Sequence, residues 1–152
     1  PRRDLLCYDE KNVIMTKTYR LPGAKIFGST ISQSLICEGA IVDAKEVSHS
    51  VVGVRSVIGK GTILRDSILM GNEYYESSLY DQTQKIIPGI GSDCLIVKTI
   101  VDENVHIGKG VKLTNRAGHV HYESPKGEPR LFVRDGIIIV PRGAHLPAGF
   151  EF

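Results

Sequence analysis

The chain has 152 residues and a formal net charge of +2, enough for one domain with a core of useful size. Balanced charge leaves no electrostatic footprint for nucleic acid or a membrane surface, so neither is expected as a partner. No apolar run is long enough to span a bilayer as a helix, and no signal-peptide pattern is evident.

Residues 1–25 carry no periodic pattern and are expected to form a linker arm, with Leu21-Pro22-Gly23-Ala24-Lys25 extended into the first coil. The chain begins at Pro1 rather than Met, as expected of an excised fragment or a processed product. From 26 onward a six-residue beat takes over. It runs Ile36-Cys37-Glu38-Gly39-Ala40-Ile41 and Val42-Asp43-Ala44-Lys45-Glu46-Val47. After a short slot it continues through Val52 to Val57, Ile58 to Ile63 and Leu64 to Leu69. Met70 to Pro88 interrupts it with Gly71-Asn72-Glu73-Tyr74-Tyr75-Glu76. The beat resumes in the units starting at Ile90, Val101 and Ile107. A second polar interruption, Asn115 to Arg130, reads as a mobile loop, and Leu131 to Phe152 reads as a return to the coils and an end cap.

Each unit has an aliphatic first residue, polar or glycine residues at three and four, and often a small fifth residue. Period six suits neither an amphipathic helix nor an alternating strand; it is the signature of a parallel β-helix. An antiparallel sandwich would alternate with period two and vary in spacing. In a β-helix each unit is one flat face of a triangular coil. First and fifth residues point inward, and Gly or Asp takes the strained backbone at the bend. Stacked coils then share one continuous core. Each buried Ile or Val stabilises by roughly 1.5–3 kcal/mol, so Ile58→Asp should collapse its part of the stack. The fold expected is all-β, a 26–152 β-helix domain with two loop insertions.

The search for chemistry returns little. The stretch from Gly53 to Lys60 and Gly61 has the wrong glycine spacing for a phosphate loop, and no Ser or Thr follows Lys60. His119 and His121 lack a third metal ligand nearby. His49, His106 and His145 are scattered, each able to serve as a general base in an acyltransferase or simply to sit on a coil surface. Cys7, Cys37 and Cys94 have no metal spacing, and their odd number favours reduced thiols. Lys17, Arg20, Lys98, Arg134 and Arg142 are the basic residues that could converge on an anion; solvated surface charge is the plainer reading of them.

Several stretches nevertheless resemble one family. Val51-Val52-Gly53-Val54-Arg55-Ser56, the run from Asp66 through Met70-Gly71-Asn72-Glu73-Tyr74-Tyr75-Glu76, and Pro88-Gly89-Ile90-Gly91 are similar to the C-terminal domain of glucose-1-phosphate adenylyltransferase, ADP-glucose pyrophosphorylase. The look is closest to the plant and cyanobacterial type. Leu21-Pro22 with Lys25, Ile100 to Gly108, and Asp135-Gly136-Ile137 extend the likeness from about Tyr8 to the end.

The resemblance implies a left-handed β-helix following an N-terminal nucleotidyltransferase domain. The parent enzyme would make ADP-glucose and pyrophosphate from ATP and glucose 1-phosphate with Mg²⁺, in glycogen or starch synthesis, in bacterial cytoplasm or a plastid. It implies no catalytic residue, no metal and no activity in this chain alone. It implies contacts in a tetramer of identical or related subunits, and part of a site for a sugar-phosphate activator and inhibitory phosphate. Effector residues carried over are Arg20, Lys98 and Arg134. Where the family has adjacent basic residues, the first is Val97 here, and Tyr19-Arg20 exchanges the family's order, so effector response is expected to be altered. The competing readings are a free-standing hexapeptide acyltransferase using coenzyme A and half of a GTP- or UTP-dependent sugar-nucleotide pyrophosphorylase.

Overall fold

The computed structural model describes residues 19–75 and 87–152. Arm residues before 19 and most of the first insertion's tip, including Glu76, lie outside the described residues. Among the described residues eighteen short strands follow one another. The first coil holds β1 (Lys25–Ile26), β2 (Thr30–Ser32) and β3 (Leu35–Ile36), and the second β4 (Ile41–Val42), β5 (Glu46–Ser48) and β6 (Val51–Val54). The third holds β7 (Val57–Ile58), β8 (Ile63–Arg65) and β9 (Ile68–Gly71), and the fourth β10 (Gly89–Ile90), β11 (Leu95–Val97) and β12 (Thr99–Val101). Then come β13 (His106–Ile107), β14 (Lys112–Leu113), β15 (His121–Glu123), β16 (Phe132–Arg134), β17 (Ile137–Val140) and β18 (His145–Leu146).

Through β12 every third strand pairs in parallel, which defines three faces. The first is β1-β4-β7-β10-β13-β18, the second β2-β5-β8-β11-β14, and the third begins β3-β6-β9-β12-β17. Inward columns form as the beat requires. Val42, Ile58, Ile90, Ile107 and Leu146 line the first face, and Val47, Leu64, Ile96 and Leu113 the second. Val52, Leu69, Val101 and Val140 line the third, and all of these are buried. The small fifth residues Ala40, Ser56, Thr62, Cys94, Val105 and Ala144 are buried beside them.

The beat is not uniformly six. Between the second and third faces it drops to five, from Val47 to Val52, Leu64 to Leu69 and Ile96 to Val101. A single left-handed residue turns the chain there: Gln33 (φ 46), His49 (φ 45), Asp66 (φ 49) and Lys98 (φ 48). The next residue is always a hydroxyl, and these hydroxyls form a ladder. Ser34, Ser50 and Ser67 Oγ each accept a backbone N–H from Ser50, Ser67 and Thr99 in turn, at 3.1 Å. Each of the four also donates to the carbonyl two residues before it. Corner amides that the strand ladder cannot reach are thereby satisfied.

Glycines divide into two kinds. Gly61 and Gly110 take the left-handed bend expected (φ 76 and 70). Gly59, Gly91 and Gly108 do not; they permit close approach between coils. A Cβ on Gly59 would lie 2.6 Å from the Gly91 carbonyl carbon, and one on Gly108 would lie 2.5 Å from the Ala148 nitrogen.

Two expectations change. The second interruption is not only a loop: β15 and β16 pair antiparallel, and β16 pairs antiparallel with β17, so the third face grows to seven strands. Asp135 and Gly136, both at positive φ (51 and 76), make the tight β16–β17 turn. The ends also differ. At the last coil Tyr122, Phe150 and Phe152 pack against the core and cover it. At the first coil the inward residues have no such cover among the described residues: Ile26 is 48% exposed, and Ile31 and Ile36 are half-buried. Cys94 occupies its expected inward position, whereas Cys37 is only half-buried.

Candidate functional site

The second-to-third corner gathers two of the three expected effector residues. Lys98 is the left-handed corner residue of the fourth coil, held by its own N–H to the Arg65 carbonyl (3.2 Å) and by the Ile138 N–H to its carbonyl (3.0 Å). Its side chain is exposed. Arg134 pairs with Ile137 across β16–β17, and β17 pairs with β12 in turn. One strand therefore separates Lys98 from Arg134, a backbone distance of about 10 Å at two strand spacings. Arg134 Nη1 donates to the Tyr122 carbonyl (2.9 Å) and to the Val133 carbonyl (2.8 Å), and the guanidinium lies 5.6 Å from the Phe132 ring centroid.

Beside Lys98 opens a cleft of about 410 Å³, lined by Asp66, Ile68, Thr99, Ile100, Asp135 and Ile137 among others. Two carboxylates share this cleft with one ammonium group, which reduces its attraction for an anion. Asp66 and Asp135 stand in stretches that carry the family resemblance, but neither was among the expected effector residues.

Arg20 lies elsewhere. It is exposed with φ 54, on the arm that joins the third-to-first corner. There the Tyr19 N–H donates to Glu38 Oε1 (3.2 Å), the Gly39 N–H donates to the Pro22 carbonyl (2.8 Å), and Arg55 sits over the Tyr19 ring. Arg20 is thus at a different corner from Lys98 and Arg134, and this chain does not bring the three together. Lys17 lies outside the described residues.

Arg142 is committed. It bridges Glu73 Oε2 (2.7 Å) and Glu103 Oε2 (2.8 Å), and the Glu73 carboxylate beside it raises its pKa further. Asn104 Nδ2 adds a bond to Glu73 (2.9 Å). Tyr75 Oη donates to the Gly39 carbonyl (2.6 Å), and His106 Nδ1 contacts the Ile87 carbonyl (2.6 Å). The base of the first insertion is therefore fastened to the first, fifth and last coils along one corner. A basic residue that could have faced an anion instead holds two carboxylates.

The histidines have separate partners. His49 lies 4.0 Å from Asp66, His121 lies 3.8 Å from Asp135, and His106 stacks on His145 at 4.7 Å between ring centroids. His119 joins the rings of Tyr122 and Phe152 at a second cleft of about 330 Å³. His119 and His121 thus face different neighbours, and no group of three or more metal-ligating side chains is found among the described residues. Arg65 and Glu46 form a two-pronged surface ion pair, joined at 2.8 and 2.7 Å. The Arg65 guanidinium, aided by the Ser48 hydroxyl, holds the Glu46 carboxyl at about 2.

Three parallel faces, hexapeptide columns and tight one-residue corners define the class: a β-helix of the hexapeptide-repeat type, with no α-helix among the described residues. A family model, the GLGC left-handed parallel β-helix domain, matches residues 19–150. The chain belongs to that family, the C-terminal domain of glucose-1-phosphate adenylyltransferase, and its coil is left-handed.

Proposed function

We propose that this chain is the assembly and regulatory half of an ADP-glucose pyrophosphorylase. In this reading a nucleotidyltransferase half of the same polypeptide converts ATP and glucose 1-phosphate into ADP-glucose and pyrophosphate. The observation that carries the assembly role is the first coil, whose inward aliphatics no described residue caps. Solenoids bury an apolar end under a cap or under a neighbour, and here Ile26, Phe27 (56% exposed), Ile31 and Ile36 form an apolar end with strand edges beside it. A second subunit is the natural cover, consistent with a tetramer of identical or related subunits.

The regulatory role rests on Lys98 and Arg134 sharing one corner. The sugar-phosphate activator and inhibitory phosphate would meet them only with help from further basic groups, since Asp66 and Asp135 line the same cleft. Arg20 reaches such a site only if another subunit or domain brings it there. Mg²⁺ would act on the nucleotide's phosphates in the catalytic half; the described residues here offer no ligand cluster that fits it.

The test is to assay the complete polypeptide for ADP-glucose formation, alone and with Lys98→Ala or Arg134→Ala. Weakened effector response with maximal rate retained supports the reading. Unchanged response removes these residues from the site, and absence of ADP-glucose formation ends the assignment. Acetyl transfer from acetyl-coenzyme A, lost on His106→Ala, would instead favour an acyltransferase.

A further inference from the structure

Among the described residues the buried hydroxyls have protein partners, with one exception. Ser50, Ser67 and Thr99 donate along the second-to-third corner, and Thr62 Oγ1 donates to the Gly91 carbonyl (2.7 Å). Ser56 Oγ has no such partner, although the residue is only 3% exposed. Its surroundings make it conspicuous. Strand register aligns the residues just before β1, β4, β7, β10, β13 and β18 in one column: Ala24, Ala40, Ser56, Pro88, Val105 and Ala144. Ser56 is the one polar side chain in that column. Left dry, its hydroxyl would cost about 1–3 kcal/mol in lost hydration.

Ser56 lines a cavity of about 20 Å³ together with Gly71, Asn72, Gly89 and Asp102, among others. The cavity sits where the stack opens: the chain leaves the third coil through Gly71 and Asn72 and enters the fourth at Gly89. We propose that this cavity binds one water molecule, which completes the corner from which the first insertion departs. The space fits, because a water needs roughly 10–15 Å³ of such volume. The chemistry fits as well, since a buried water makes about three hydrogen bonds and the lining offers them. The Ser56 hydroxyl is a donor. Asn72, 9% exposed, gives its Nδ2 to the Arg55 carbonyl (3.0 Å), which leaves Oδ1 as an acceptor. The Gly71 carbonyl takes a long bond from the Asn104 N–H (3.4 Å) and has a second lone pair. A water that accepts from Ser56 and donates to the other two uses each group in its natural sense. A metal cation fits worse. Ser56 and Asn72 are neutral, and the Asp102 carboxylate already accepts the Glu103 and Arg142 N–H groups (2.7 and 3.2 Å). The molecule thus adds a solvent link to the fastenings that Arg142, Asn104 and Tyr75 make at the insertion's base.

The experiment is a crystal structure of the complete polypeptide at a resolution that shows ordered water, for the parent and for Ser56→Val. Val105 stands in the same column, so a branched side chain has a precedent there, and its methyls fill the cavity. In the parent, one density peak is expected about 2.7–3.0 Å from Ser56 Oγ, with a further contact to Asn72 or Gly71. In Ser56→Val that peak should vanish while the corners at Ala40 and Val105 keep their positions. Hydrogen exchange over residues 70–75 in solution should then run about three-fold faster than in the parent, because Asn72 Oδ1 loses its partner. A cavity without density, or a Ser56 hydroxyl turned onto a protein group, would overturn the proposal. So would a peak ringed by about six oxygens, the mark of a cation, a peak that survives Ser56→Val, or exchange that stays unchanged. Should Ser56→Val fail to fold, the density beside Ser56 in the parent decides alone.

Discussion

Gly59→Ala separates the two duties that glycine performs in this stack. Gly59 does not occupy the left-handed region, so the substitution adds no backbone strain. The new methyl would lie 2.6 Å from the Gly91 carbonyl carbon and the Ser92 nitrogen, where ordinary contact begins at 3.4 Å. Those atoms are main chain of the next coil and cannot rotate away, so the coils must part locally by about 0.8 Å. Three bonds cross that gap: Gly59 N–H to the Ile90 carbonyl (2.8 Å), Asp93 N–H to the Lys60 carbonyl (2.8 Å), and Thr62 Oγ1 to the Gly91 carbonyl (2.7 Å). Each extends beyond useful length on such an opening, and each is worth about 1 kcal/mol net. The loss is about 3 kcal/mol, at the upper end for overpacking, or roughly 6–12 °C in melting temperature for a chain of this size. Gly110→Ala is the control, because its φ is +70 and nothing lies within 4 Å of the added atom; it should cost only about 1–2 kcal/mol, the left-handed penalty. Urea unfolding followed by circular dichroism measures both. Equal costs, or a Gly59→Ala cost below that of Gly110→Ala, would refute the coil-contact argument.

Leu64→Ala, at a fully buried position of the second face, should cost about 2–5 kcal/mol in the same unfolding assay. Glu46 should titrate near its folded value of about 2 rather than 4.5 by carboxyl NMR, with Arg65→Met returning it upward. Because the folded pKa is depressed, this pair's contribution to stability is complete above pH 4.5 and is lost as pH falls from there towards 2; Arg65→Met should flatten stability across that window. Burial raises the Cys94 thiol pKa and shields it, so a thiol reagent at neutral pH should modify Cys37 first and Cys94 only once denaturant opens the coil. Ser56 Oγ is buried without a protein partner, beside a cavity of about 20 Å³. Ser56→Ala should therefore leave stability within about 1 kcal/mol of the parent, since no protein hydrogen bond is lost.

The columns were readable because inward aliphatics recur locally, and Ile58, Ile90 and Ile107 fall where the beat puts them. The five-residue corners were not, because Gln33, His49, Asp66 and Lys98 turn the chain without a glycine to mark them. In the slot before Val52 the missing residue is simply the shorter corner. The antiparallel hairpin was hidden for another reason: His121-Tyr122-Glu123 is polar on its outer side and reads as loop, while the informative signal, Asp135-Gly136 between two apolar runs, sits where a return to the coils was expected. At the candidate corner, Lys98 and Arg134 were two of five basic residues that could meet an anion, likeness to a family carried them over as effector residues, and their proximity follows from strand pairing that no local pattern encodes. Arg142 shows the limit most clearly. Its carboxylate partners Glu73 and Glu103 are far away in sequence and meet it only because the coils stack.

The chain of serine and threonine oxygens along the second-to-third corner runs one way. Each serine oxygen accepts a hydrogen bond from a backbone N–H of the following coil, and all four hydroxyls donate to the strand just before them. Ser67→Ala therefore leaves Ser50 fully served, since the Ser67 amide still donates to it, while the Thr99 amide is stripped of its acceptor. Besides the Arg65 carbonyl in its own coil, damage to this rung passes only to the following coil, where its first stop is the turn that presents Lys98.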